Sequence, residues 1–160
     1  PLLVADAAIE LVSASGRRLV PAADFFLGPG RTVRRPDELL HSVRVAAVAD
    51  PGTDRFAKLG PRREQIISMV SVAMRAGVDP AGALRGVRVA VGSSAPVPVR
   101  ARAAEAALEG RVPDPDRRRE AALALQLDIS PIDDVRAPAS YRRIAVAVLL
   151  ERFLAEVAGG

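Results

Sequence analysis

The chain has 160 residues, a net charge of +4, 49% hydrophobic residues and only 3% aromatic residues. It contains no cysteine, which excludes disulfides, iron–sulfur ligation and thiolate zinc sites within this polypeptide. The length predicts one compact domain, alone or with a small remnant of another, and the composition predicts a core built from Ala, Val, Leu and Ile.

The basic charge does not indicate nucleic-acid binding. Of the 23 basic residues 22 are arginines, spread along the whole length instead of forming one stripe, and no RNA- or DNA-binding motif accompanies them. No apolar run approaches the roughly 20 residues that span a bilayer, and the first residues lack the basic start of a secretory signal. We therefore expect a cytoplasmic protein with no membrane span and no nucleic-acid partner.

The first part of the chain indicates extended structure. Apolar runs separated by turn residues predict strands at 8–12, 18–20 and 39–45, with a glycine-containing loop at 28–30. The turn-forming stretch 50–53 is the predicted boundary between two structural parts.

Three further β-compatible runs follow, at 55–59, 65–75 and 84–92. The second is ambiguous, because Ile66, Val70 and Ala73 also fit one face of a helix, and its β-branched content favours a strand. The residues at 78–82 would then form a hairpin connection.

The last third has helical periodicity. Helices are predicted at 100–109, ending at Gly110, and from Asp114 as N-cap to about 127. A third helix, 140–157, has five residues that could share a buried face: Ile144, Val148, Leu149, Phe153 and Val157. The pattern predicts an α+β fold, a three-stranded antiparallel sheet covered by three helices.

Few side chains indicate chemistry. The single histidine, His41, lies in a predicted strand, and we interpret it as a residue whose polar ring atoms are hydrogen-bonded by neighbouring residues. Asp133 and Asp134 are interpreted as helix-capping residues. Neither common nucleotide phosphate loop pattern occurs. The sequence predicts no catalytic residue and no metal site.

Lys58 is the one lysine among 23 basic residues. A compact ammonium on a flexible stem differs from the planar guanidinium, so the position could be one that does not accept arginine. An ordinary exposed cation is the alternative that composition leaves open.

Several segments carry a family resemblance: 24–32, 36–40, 56–63, 87–101, 103–110, 130–137 and 141–143. In this order they resemble the flavin subunits of molybdenum hydroxylases, including the medium subunit of aerobic carbon monoxide dehydrogenase and the flavin domain of xanthine dehydrogenase. The similarity covers almost the whole chain, from Asp24-Phe25-Phe26 to Tyr141-Arg142-Arg143.

The resemblance implies two parts. Residues 1–50 would be a β-rich, C-terminal remnant of the second FAD-binding subdomain, and residues 51–160 the C-terminal domain of the carbon monoxide dehydrogenase flavoprotein type. It also implies two FAD contacts, which fall on Leu40 and Lys58: Leu40 as an apolar surface, Lys58 as a donor and positive charge.

The same resemblance implies an oxidoreductase component in which electrons pass from a molybdopterin centre through iron–sulfur clusters to FAD and an acceptor. Its partners would be an N-terminal FAD-binding segment, an iron–sulfur subunit and a molybdopterin subunit. The family's glycine-rich FAD loops match positions upstream of Pro1, so we expect the chain alone to be inactive. The alternative is a cofactor-free interaction module that docks on partner subunits.

Overall fold

The computed structural model describes residues 1–47, 52–61 and 67–159. Its strands are β1 (Ala8–Ser13), β2 (Gly16–Pro21), β3 (Phe26–Gly28), β4 (Arg31–Thr32), β5 (Leu39–Arg44), β6 (Thr53–Leu59), β7 (Val70–Val78), β8 (Leu84–Gly92) and β9 (Val99–Arg100). Its helices are α1 (Ala22–Phe25), α2 (Arg102–Leu108), α3 (Pro115–Asp128) and α4 (Ala139–Gly159).

The first sheet has the strand order β2-β1-β5 with antiparallel pairing, and β3 and β4 form a separate small hairpin. One face of the sheet is apolar because alternate residues of a strand point to the same side. A small core forms there from the residues Ala7, Ile9, Leu11, Val20, Ala22 and Phe25.

The second sheet has the order β6-β7-β8-β9 and is also antiparallel. Val70, Val72 and Met74 of β7 alternate with smaller side chains and are at most 2% exposed. They lie in the main core together with residues of α2, α3 and α4, so these three helices cover one face of this sheet. The opposite face is turned away from these three helices, and Val4 of the N-terminal segment packs against it.

Local capping explains where the helices begin and end. Asp114 accepts a hydrogen bond from the Arg117 amide at 2.8 Å, and Pro115 occupies the first turn of α3. Gly110 has a φ of 70°, a conformation that suits glycine after a helix. Asp133 accepts from the Ala139 amide at 2.6 Å, at the start of α4. The predicted capping roles of Asp114 and Asp133 are confirmed, whereas Asp134 bonds the Arg136 and Ala137 amides before the helix.

The predicted α+β fold is confirmed, with three additions. The hairpin of β3 and β4 was not predicted. The second sheet gains the two-residue strand β9, paired with Ala90 and Val91, which leads directly into α2. The one-turn helix α1 was also not predicted. The segment that was ambiguous between helix and strand is β7, but Gln65 and Ile66 lie outside the described residues, as do Asp50 and Pro51 of the predicted boundary turn.

The predicted buried face of α4 is partly wrong. Phe153 and Val157 are buried, but Ile144 is 65% exposed and Val148 is 40% exposed. The face turned to the sheet instead begins with Arg142, which is 2% exposed. The helix is apolar on several sides, so periodicity alone does not select the side that packs.

Arg142 is buried because its guanidinium has partners in three directions. It donates to the Met69 carbonyl, to the Ser93 carbonyl at 2.6 Å and to Asp134 at 2.6 Å. Asp134 also accepts from the Arg136 and Ala137 amides, and these bonds outweigh burial, so the pKa of Asp134 lies well below its usual range. The cluster ties α4 and the preceding loop to the end of the second sheet.

None of the helices in the described part of the chain is both long and apolar enough to cross a membrane.

Asp6 links the N-terminal segment to the second sheet. Its carboxylate accepts from Arg100 at 2.6 Å and from Arg88 at 3.0 Å, and the Leu3 carbonyl accepts from Arg100 at 3.0 Å. Burial alone would raise the pKa of Asp6, but the two guanidinium groups lower it. Arg100 is itself held by Glu105 of α2, at 2.6 Å and 2.9 Å. The segment before β1 is therefore anchored to the second sheet by charge-assisted bonds.

We expect Asp6→Asn to lower the free energy of unfolding by about 1–2 kcal/mol, because Arg100 loses a charged partner while Asp6 itself is partly screened by solvent. Hydrogen exchange of the amides of residues 2–7 should become faster. The matched control is Asp116→Asn, whose exposed pair with Arg119 should contribute almost nothing. Equal effects of the two variants would contradict the proposed anchoring.

Two buried carboxylates organise the first sheet. Glu10 accepts from Ser42, Arg44 and His41, and these bonds outweigh burial and lower its pKa from 4.5 to about 2. Glu38 accepts from Arg18 and from the Arg35 amide, which lower its pKa to about 2 as well. His41 thus has a neighbouring partner, as the sequence predicted.

These two carboxyl groups should make the fold sensitive to acid. A depressed pKa means that their stabilisation is complete above the ordinary carboxyl pKa and is lost as pH falls towards the folded-state value. We expect the free energy of unfolding to fall between pH 4.5 and pH 2. Denaturant titrations across this range should show it, and in the Glu10→Gln, Glu38→Gln double variant the dependence should be shallower. An unchanged slope would contradict the assignment.

Candidate functional site

A cleft of about 380 Å³ lies between the first sheet and the face of the second sheet that is turned away from α2, α3 and α4. Its walls come from the N-terminal segment, α1, β5, β6, β7 and β8. The residues that line it are Pro1, Leu2, Leu3, Ile9, Ala22, Phe25, Phe26, Leu40, Val43, Phe56, Ser71, Ala73, Ala90, Val91, Gly92 and Pro98. An apolar cleft with few polar groups is the usual form of a small-molecule or cofactor site.

Leu40 forms part of the wall contributed by the first sheet. It lies in the edge strand β5 opposite Leu11, next to a bulge at which the register with β1 shifts. Leu40 is 49% exposed although the Leu11 side chain is buried. The structure therefore places Leu40 in the cleft, with apolar surface available to a ligand.

Lys58 lies on the second sheet, at the rim of the same cleft. Residues two apart in a strand share a face, so Lys58 lies on the same side of β6 as the cleft residue Phe56. Its register partner in β7 is Ser71, which also lines the cleft. The structure thus places Leu40 in the cleft and Lys58 beside its lining residue Ser71, and Lys58 does not itself line the cleft.

The charged residues of β6 differ in their partners. Asp54 pairs with Arg75 at 2.5 Å, and Arg55 pairs with Glu156 of α4 at 2.8 Å. Within residues 1–47, 52–61 and 67–159, Lys58 has no such ion pair. Its exposed ammonium is therefore available to an anionic group in the cleft.

The floor of the cleft is made of small residues. Ala73 and Ala90 are register partners on adjacent strands, and Gly92 stands opposite Ser71. Ala73 and Ala90 are buried because Val4 of the N-terminal segment packs against them, so larger side chains there would displace this segment. Small residues on one face and Val, Leu and Met on the other let one sheet both support a helical core and leave a cleft.

The other candidates from the sequence do not form a site. Asp133 accepts from the first amide of α4, Asp134 accepts from the Arg136 and Ala137 amides in the loop before it, and His41 contacts Glu10 on the first sheet. Among the described residues, no group of three His, Cys, Asp or Glu side chains is arranged to hold a metal ion.

The sequence singled out Leu40 and Lys58 but missed Ser71 and the alanine floor. These residues are found only when the strand register is known, because no residue pattern within β7 marks them. The alternation of β7 could have shown which residues share a face, but not which strand lies beside it.

Two family models match the chain. One, for the "CO dehydrogenase flavoprotein C-terminal domain", matches residues 55–157, and the other, for the "FAD binding domain in molybdopterin dehydrogenase", matches residues 1–47. The first model alone matches more than half of the chain.

Similar proteins include the glyceraldehyde dehydrogenase medium chain of Sulfolobus acidocaldarius, 31% identical over 157 residues, 98% of this chain and 55% of that protein. The nicotine 6-hydroxylase medium subunit of Paenarthrobacter nicotinovorans is 30% identical over 156 residues, 97% of this chain and 53% of that protein. The chain therefore spans about half the length of these relatives.

A solved structure of carbon monoxide dehydrogenase from Hydrogenophaga pseudoflava matches with a TM-score of 0.87 and 30% sequence identity, over 94% of this chain and 52% of that chain. This carbon monoxide dehydrogenase chain is thus similar to the present chain in both fold and sequence. The chain belongs to the family of FAD-binding medium subunits of molybdenum hydroxylases, as the order of its sequence motifs indicated.

Proposed function

We propose that this chain forms one side of the FAD pocket in the flavin subunit of a molybdenum hydroxylase, an oxidoreductase in which electrons pass from iron–sulfur clusters to FAD and an acceptor. The observation that carries the proposal is the apolar cleft that brings Leu40 and the strand of Lys58 together between two sheets. The alternative, a cofactor-free interaction module, would have no use for a cleft with a cation at its rim.

The residues of the cleft fit the ring part of FAD. A flavin ring is flat, largely apolar on its faces and negatively charged when fully reduced and deprotonated. Apolar side chains such as Leu40 and Phe56 suit its faces, and the Lys58 ammonium suits its charge. The lining contains no Arg or Lys for a pyrophosphate, so we assign the phosphates to a separate glycine-rich segment.

Each proposed contact has a distinct role. FAD, when bound, supplies the capacity to take up and release electrons. Leu40 offers its exposed side chain as a packing surface that orients the ring and excludes water from it. Lys58 places a positive charge beside a low-dielectric cleft, where its attraction for a developing negative charge is stronger than in water. Neither residue performs covalent chemistry.

The organisation of the complete enzyme is part of the proposal. Residues 1–50 would end the second FAD-binding subdomain, and residues 51–160 would form the C-terminal domain. The partners would be a polypeptide with the N-terminal FAD-binding segment, an iron–sulfur subunit and a molybdopterin subunit, in the cytoplasm. Support comes from relatives described as medium chains or subunits, which implies other subunits beside them.

Co-production with a polypeptide that carries the N-terminal half of a medium subunit tests the proposal directly. We expect a complex that retains FAD through gel filtration and whose flavin absorbance is bleached by electrons from its iron–sulfur partner. A stable complex that takes up no FAD, even at high FAD concentration, would instead support the interaction module.

Replacing Lys58 tests its role within that complex. Lys58→Met removes the charge that favours reduced flavin, so the FAD midpoint potential should fall by roughly 20–40 mV, whereas Lys58→Arg should retain most of it. Arg55→Met is the matched control, because Arg55 lies on the helix side of the same strand and pairs with Glu156. Unchanged potential and FAD affinity in Lys58→Met would remove Lys58 from the site.

A further inference from the structure

One polar side chain stands in an otherwise apolar cleft. Among the described residues that line it, only Ser71 carries a polar side chain, and the others are Pro, Leu, Ile, Val, Ala, Phe or Gly. A hydroxyl both donates and accepts a hydrogen bond. In a cleft of this composition it is the group able to fix the orientation of a ligand that has polar atoms along one edge.

The position of Ser71 relative to Lys58 follows from the strand register. Lys58 of β6, Ser71 of β7 and Gly92 of β8 are register partners across three neighbouring antiparallel strands. Directly opposed residues share a face of the sheet, with their Cβ atoms about 4.5–5.5 Å apart. The Ser71 hydroxyl and the stem of Lys58 therefore border the same end of the cleft.

Gly92 preserves the place of the hydroxyl. A Cβ atom at position 92 would lie 2.6 Å from the Ser71 Oγ, closer than real Cβ contacts allow. Because Oγ ends a flexible side chain, an added Cβ would turn the hydroxyl to another rotamer without displacing the backbone. Glycine at this position thus lets Ser71 keep the orientation that the structure shows.

The next row of the sheet has the opposite character. Phe56, Ala73 and Ala90 are the corresponding register partners two residues further along their strands. All three line the cleft and none has a polar atom in its side chain. The floor therefore changes from polar to apolar over the distance between alternate residues, about 7 Å.

We propose that Ser71 is the positioning residue of the FAD pocket: its hydroxyl hydrogen-bonds the polar, carbonyl-bearing edge of the flavin ring and turns that edge towards Lys58. The remainder of the ring lies beside Phe56, whose side chain is 54% exposed, because Val4 of the N-terminal segment already covers Ala73 and Ala90. Gly92 contributes by leaving the hydroxyl its rotamer. This inference rests on the proposed FAD function and adds the residue that sets the ring's orientation.

The test uses the complex with the N-terminal FAD-binding polypeptide and FAD as the probe. Loss of one hydrogen bond in Ser71→Ala should weaken FAD binding about three- to tenfold and shift the flavin absorbance maxima, since those maxima respond to hydrogen bonds at the ring carbonyls. Ser71→Thr keeps a hydroxyl and should restore both readouts. Ser13→Ala is the matched control, the same kind of substitution on β1 and outside the cleft lining.

Gly92→Ala supplies an independent check. It should weaken FAD binding by a similar factor when Ser71 is present, and it should add little in the Ser71→Ala background, where there is no hydroxyl to displace. Such non-additivity is the mark of two residues that act through one contact. Full additivity of the two substitutions would show that Gly92 does not act through Ser71 and would overturn that part of the proposal.

The outcomes separate the two proposals. If the unsubstituted complex takes up no FAD, the proposed function and this inference both fail. If it takes up FAD and Ser71→Ala leaves the affinity and the spectrum unchanged, only the role of Ser71 is overturned. Melting curves of each variant without FAD show whether a lost affinity reflects a damaged fold, in which case Ser71→Thr decides the question.

Discussion

The charge cluster of Asp6, Arg100 and Glu105 is the interaction on which the cleft depends. Arg100 is 9% exposed. Its guanidinium bonds to carboxylates from two different parts of the chain, Asp6 before β1 and Glu105 on α2. Arg100 and Glu105 are both buried, so removing Glu105 would leave the guanidinium charge uncompensated, whereas Asp6 is partly screened by solvent. The bonds from Arg100 to Asp6 and to the Leu3 carbonyl, together with the packing of Val4 on Ala73 and Ala90, hold the N-terminal segment against the second sheet. The first sheet begins directly after this segment, which therefore fixes the separation of the two walls of the cleft.

The second sheet meets two different demands on its two faces. Towards the helices, Val70, Val72 and Val89 fill a close-packed core, where each lost methylene group would be felt. Towards the first sheet, Ala73 and Ala90 pack against Val4 of the N-terminal segment, and only a small part of their surface lines the cleft. One face of the sheet thus forms the helical core, and the other carries the N-terminal segment and the cleft.

Much of the fold could be predicted from the sequence because it depends on local physics. The alternation of 84–92 gave a strand with the observed bounds, and Asp114 with Pro115 marked the start of α3, since capping is decided within one turn. The face of α4 could not be predicted in the same way, because the buried Arg142 finds two of its partners in Met69 and Ser93, which are distant in sequence.

The same distinction applies to the candidate site. Leu40 and Lys58 could be identified by family resemblance, and their places as FAD contacts stay predictions. Ser71 could not be identified, because its relation to Lys58 exists only in the register between β6 and β7. Register is a long-range property, set by which faces must be buried and not by the residues at a single position.

The electrostatic arrangement sharpens what the chain can contribute to flavin chemistry. Among the residues that the structure describes, no arginine lines the cleft: Arg75 pairs with Asp54, Arg85 with Asp79, and Arg88 with Asp6. A cleft lined by apolar side chains has a low effective dielectric, so a single ammonium at its rim acts on a bound ring more strongly than several screened charges elsewhere. In the proposed pocket, the positive charge nearest to the flavin would be that of Lys58, and Ser71 would set the orientation of the ring towards it. In the proposed pocket, the chain would influence the flavin through the Lys58 charge and through the absence of charged side chains from the described lining.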